Sequence, residues 1–116
     1  MKFIFLILSL ISLVSPLEEV PDNYTLIFKQ DFTSEKDLEA NWDCQIGIGN
    51  NGWGNQEKEY YRASKNNVYI KDNQLHIRAV KEKIQNNNYT SARIITKTAF
   101  KFKYGYLKTR VKIPKA

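Results

Sequence analysis

Glu57 and Glu59 stand two residues apart in the run GWGNQEKEYY, so an extended backbone would turn both carboxylates to one face. Two neighbouring carboxyl groups are candidates for general acid–base chemistry. Lys58 and Arg62 lie beside them, and ordinary ion pairing is the simpler reading. His76 is the only histidine, so neither a multi-histidine metal site nor a histidine-paired nucleophile is indicated. It alternates with Leu75 and Ile77, which places its imidazole on a surface or a cleft rim. Cys44 is the only cysteine. It can form no internal disulfide, and a buried thiol is expected. Asp31, a single carboxylate in KQDF, is a poor calcium ligand without others. The sequence therefore assigns no catalytic residue and no resident cofactor.

The elements that would position these groups are mostly short strands. Tyr24 to Phe28 (YTLIF) predicts a first strand, and Thr33-Ser34-Glu35 a helix start, with SEKDLEANW giving one or two turns. Residues 45–56 carry four glycines and three asparagines, the composition of a loop. Val68 to Lys71 and Gln74 to Val80, joined by Asp72-Asn73, read as a β-hairpin. Gln85 to Asn88 is a polar turn. Ser91 to Lys97 and Phe100 to Lys103 predict further strands. In the last run Leu107, Thr109, Val111 and Ile113 alternate with Tyr106, Lys108, Arg110 and Lys112, a two-residue period that predicts the clearest strand of all. Tyr and Phe total 13, which suits pleated, half-buried surfaces. The expected fold is all-β, an antiparallel sandwich or barrel, and such folds commonly take roughly 200–250 residues to close.

The 116 residues open with a segment that is not part of that fold. Lys2, an apolar run over 3–14 and Ser15-Pro16 have the layout of a signal peptide, too short to span a bilayer. Residues 1–16 are expected to be removed on export and the product to be secreted, with no stable membrane association. Asn23-Tyr24-Thr25 and Asn88-Tyr89-Thr90 are glycosylation acceptor triplets. The net charge of +6 is uneven: residues 1–56 sum to −5 and residues 57–116 to +11. Because the cations alternate with apolar residues, they read as one wet face of a sheet, and no nucleic-acid partner is expected.

Three stretches carry a resemblance. Asn50 to Tyr61, NNGWGNQEKEYY, looks like the GWGN-x-E-x-x-YY loop of glycoside hydrolase family 16, laminarinase type. Tyr89 to Lys97, YTSARIITK, is similar to its TSARI-x-TK strand, and Phe102 to Pro114, FKYGYLKTRVKIP, to its KYG-x-x-E-x-R-x-K-x-P strand. Their order is that of the family. One departure is visible, since the family often has an acidic residue where Lys108 or Thr109 stands.

The resemblance implies a concanavalin A-like β-jelly-roll, of which residues 17–116 would be about the first half. It implies β-1,3- or mixed β-1,3/1,4-glucan as partner, and retaining hydrolysis by a Glu-x-Asp-x-x-Glu strand. Such a pair works at about 5–5.5 Å separation. In the family that strand follows the K-x-P segment, so no activity is expected of this chain alone. A non-catalytic β-glucan-recognition protein, or an incomplete gene model with no independent function, are the alternatives. By the same resemblance Arg93 is a cleft residue. Sugars are held by aromatic faces and two-way hydrogen bonds, so Trp53, Tyr61, Asn50 and Asn55 are expected at the substrate. Against this stands the plainer reading of Trp53 and Tyr61 as core and Arg93 as a surface charge. A structural calcium near Asp31 is left open for a complete domain.

Overall fold

The computed structural model describes residues 22–96 and 100–115. The expected signal segment, residues 1–16, lies outside the described residues. Two compact units are present: residues 26–104 form one, and residues 22–25 with 105–115 belong to the other.

Among the described residues the larger unit contains one α-helix and seven short strands. Helix α1 spans Glu35–Asn41 and starts as the sequence predicts. Ser34 is its N-cap, and its Oγ accepts from the Asp37 amide at 3.2 Å, satisfying one of the donors a helix start leaves free. Glu35 Oε1 accepts from the Ile70 amide at 2.8 Å, which ties the helix to a strand far along the chain. Leu38 is the buried residue of α1; with Val68 and Ala92 it forms the core, against which Phe32, Trp42, Cys44, Ile70, Leu75 and Ile94 pack.

Strands β1 (Asp43–Gln45) and β7 (Arg93–Ile95) pair antiparallel, with Gln45 opposite Arg93. Strands β3 (Val68–Lys71) and β4 (Gln74–Ile77) form the expected hairpin. Asp72 and Asn73 at its tip have φ 53° and 55°, the left-handed pair that a two-residue hairpin turn requires. The third sheet has the order β2-β6-β5, from Glu59–Tyr61, Asn87–Ser91 and Val80–Ile84. β5 and β6 are antiparallel, whereas β2 runs parallel to β6.

A closed polar ring holds this sheet to the hairpin. Arg62 Nε donates to Asn67 Oδ1 at 3.0 Å, and Asn67 Nδ2 donates to the Arg78 carbonyl and to Thr90 Oγ1. Thr90 Oγ1 donates to Glu82 Oε2 at 3.1 Å, and Arg62 Nη2 pairs with the same oxygen at 3.0 Å. Asn67 and Thr90 are fully buried, and such groups are tolerated because their partners are complete.

Three predicted strands do not form. Residues 24–28, 100–103 and 105–113 have no ladder. Alternation gives a run the right faces, but a strand exists only where another strand accepts its backbone bonds. None does so for these runs among the described residues. The consequence is visible in the smaller unit, where Leu107 and Ile113 are 73% and 77% exposed. There Tyr24 and Tyr106 rings meet at 5.8 Å.

Candidate functional site

The glycine-rich segment 46–58 is a folded loop pinned at its neck. Gly47 and Tyr61 exchange both backbone bonds, at 2.8 and 3.0 Å, closing the loop onto β2. Inside it a 3-10 turn, Gly52–Gly54, is reinforced by the Gly54 amide donating to the Asn50 and Asn51 carbonyls and the Asn55 amide to Gly52. A Cβ at Gly52 would lie 2.7 Å from the Glu57 amide nitrogen, so only glycine lets the two sides of the turn approach. Trp53 sits at φ 56°, a left-handed conformation that is costly for a bulky residue and is retained only where the surroundings dictate it.

The surroundings of Trp53 are specific. Gly49 is so close that a Cβ there would meet the six-membered ring of the indole at 2.5–2.9 Å. The Arg93 guanidinium lies over the indole, 4.8 Å from the ring centroid, a distance at which the cation and the π face attract. Arg93 Nε also donates to Gln45 Oε1 at 2.7 Å, a bond made available by the β1–β7 register. Tyr61 stands on the other flank, its ring 6.1 Å from that of Trp53. Trp53 Nε1 is buried and has no hydrogen-bond partner among the described residues.

The Tyr61 hydroxyl lies 2.8 Å from Glu57 Oε2 and 3.0 Å from Glu59 Oε1. Burial, and then these two carboxylates, push its phenol far above the ordinary range. Glu57 and Glu59 thus face one point, as their spacing suggested. The ion pairing expected for them with Arg62 is not formed, because Arg62 is held by Glu82.

Of the five residues expected at the substrate, Arg93, Trp53 and Tyr61 come together in one cluster, in which Tyr61 is buried at 8% exposure, as its reading as a core residue predicts. Asn50 and Asn55 are exposed on the loop that carries Trp53, and their backbone groups build its turn. Sequence reasoning missed Gln45, whose role follows from strand register alone. It also missed the convergence on Tyr61.

The other reactive types lie apart from this cluster. His76 is stacked on Tyr69, its register partner, at 4.9 Å and 3°, and is half-buried rather than a rim residue. Cys44 is half-buried against the core, and burial, then Asp43, pushes its thiol pKa up. Asp31 pairs with Lys29 at 2.7 Å, and among the described residues no group of three or more His, Cys, Asp or Glu could hold a metal ion.

Seven short strands in three small sheets, with a glycine-rich loop clasping an arginine–tryptophan pair, correspond to part of a β-sandwich of the jelly-roll class. No family model matches the chain. It is 34% identical over 91 residues to the alpha subunit of clotting factor G from Tachypleus tridentatus, covering 78% of this chain and 13% of that protein. It is 31% identical over 117 residues to glucan endo-1,3-beta-glucosidase A1 from Niallia circulans, covering 90% and 17%. The laminarinase catalytic domain of Thermotoga maritima superposes with a TM-score of 0.60 at 35% identity, over 70% of this chain and 35% of that one. The chain is related to the laminarinase-type β-glucanases of glycoside hydrolase family 16, and it spans about a third or less of each of these relatives.

Proposed function

We propose that these residues are the glycan-gripping part of a secreted hydrolase acting on β-1,3- or mixed β-1,3/1,4-glucan. The observation that carries this reading is the Trp53–Arg93–Tyr61 cluster on a loop whose neck is fixed by Gly47 and Tyr61. A sugar ring offers C–H faces to aromatic surfaces and hydroxyls that both donate and accept. Glu57 and Glu59 accept, and the exposed Asn50 and Asn55 side chains do both. Arg93, steadied by Gln45, presents the rest of its planar fork for a hydroxyl or a carboxylate.

Glycosidic cleavage by retention needs an acid and a nucleophile on opposite sides of the bond. Glu57 and Glu59 do not meet that need, since both approach the same hydroxyl. The 116 residues by themselves are therefore expected to bind glucan without cutting it. Electrophoresis through a gel containing laminarin, alongside a reducing-end assay, tests this directly. Retardation with no released ends supports the reading. Migration unaffected by the polysaccharide, or turnover above buffer, overturns it.

A further inference from the structure

A second polar depression lies at the end of the three-stranded sheet where β5 turns into β6, lined by Lys58, Asn86, Asn87, Asn88 and Tyr89, with a volume of about 290 Å³. Its shape is held by one bond: Asn87 Nδ2 donates to the Lys58 carbonyl at 2.8 Å, fixing the start of β6 against the segment that leads into β2. Asn87 is thereby occupied, whereas Asn86 and Asn88 are exposed. Tyr89 is 44% exposed, and neither its ring nor its hydroxyl has a partner among the described residues.

The chemistry of this lining is selective. It contains no carboxylate, so a metal cation has no ligand set there. It contains no guanidinium fork or helix N-terminus to bind an anion in more than one direction. What remains is two free amides, each a donor and an acceptor, one ammonium donor and an open aromatic face. That is the complement of a neutral polyhydroxyl ring.

The depression also lies in line with the first cluster. β2 and β6 are in parallel register with Glu59 beside Tyr89 and Tyr61 beside Ser91, so the Tyr89 side chain leaves the sheet on the face that carries Tyr61. Arg93 lies four residues further on, about 13 Å at the rise of an extended strand. We infer that Tyr89, with Asn86, Asn88 and Lys58, is a second sugar-contacting site that engages a distant ring of a glucan already held at Trp53 and Arg93. This inference rests on the glucan reading above.

Calorimetry with β-1,3-linked glucose disaccharide and hexasaccharide separates the two. The unaltered chain is expected to bind the hexasaccharide more tightly. Tyr89→Ala should weaken the hexasaccharide roughly fivefold and leave the disaccharide unchanged, whereas Arg93→Ala should weaken both. Should Tyr89→Ala lose its thermal transition, the pair Lys58→Ala and Asn86→Ala should reproduce the length-selective loss. Equal hexasaccharide affinity in the unaltered and folded variant chains overturns this inference alone. Failure of the unaltered chain to bind either sugar overturns both readings.

Discussion

Tyr61 concentrates the chemistry of the larger unit in one hydroxyl. A phenol has a single proton, yet carboxylate oxygens of Glu57 and Glu59 lie at 2.8 and 3.0 Å. Its folded-state pKa is raised, first by burial and then by these neighbours. A raised value means the stabilisation is intact below the unfolded-state pKa, about 10 for tyrosine, and is lost as pH climbs toward the folded one. Thermal midpoints should therefore carry the full Tyr61 contribution, with no pH dependence from it, around neutrality and show an alkaline loss above pH about 10. Tyr61→Phe should remove part of that alkaline loss, as scanning calorimetry across the range would show. An unchanged alkaline limb in the variant would contradict the assignment. Arg93 gives a second test at this scale. Arg93→Ala removes the Gln45 bond and the cation over Trp53, and a drop of about 1–2 kcal/mol in denaturant stability is expected, together with loss of glucan retardation.

Among the elements, the β3–β4 hairpin was the most legible. Asp72-Asn73 between two alternating runs specifies a left-handed turn, and φ values of 53° and 55° are found there. Glycine at the second position costs less strain, so Asn73→Gly should raise the unfolding midpoint, by about 0.5–1 kcal/mol in free energy, and Asn73→Val should lower it. Helix α1 was equally plain, because a Ser34 cap and its helix are local features. Ser34→Ala should cost about 1 kcal/mol. The runs at 24–28 and 105–113 looked as strong in sequence and carry no ladder. Pattern reports which face a side chain would take, whereas pairing is non-local and depends on a second strand. The same limit hid Gln45, which meets Arg93 only through register, and the Arg62–Asn67–Thr90–Glu82 ring, whose members are spread from residue 62 to residue 90 in unremarkable polar sequence.

At the scale of the molecule, apolar burial among the described residues is thin. Leu38, Val68 and Ala92 are its centre, and burying a Leu or Val contributes only roughly 1.5–3 kcal/mol each before entropy is counted. The polar ring then has a large share in holding sheet to hairpin. Asn67→Ala leaves Arg62, Thr90 and the Arg78 carbonyl each short of a bond, and a loss of about 2–4 kcal/mol is expected, enough to be read as a collapsed urea midpoint. Leu107, Val111 and Ile113 lie open beside Lys108, Arg110 and Lys112. Exposed, unladdered backbone is what proteases cut, so brief trypsin treatment should clip after these cations before it cuts within β2, β5 and β6. Mass spectrometry of the early fragments decides the order.

Gly49 sets a boundary for anyone wishing to redirect this loop toward other saccharides. With no room beside the indole even for a methyl group, a library that varies position 49 would sample mostly displaced tryptophans and unseated arginines. Diversity belongs instead at Asn50 and Asn55, whose side chains project from a frame that their own peptide groups already secure.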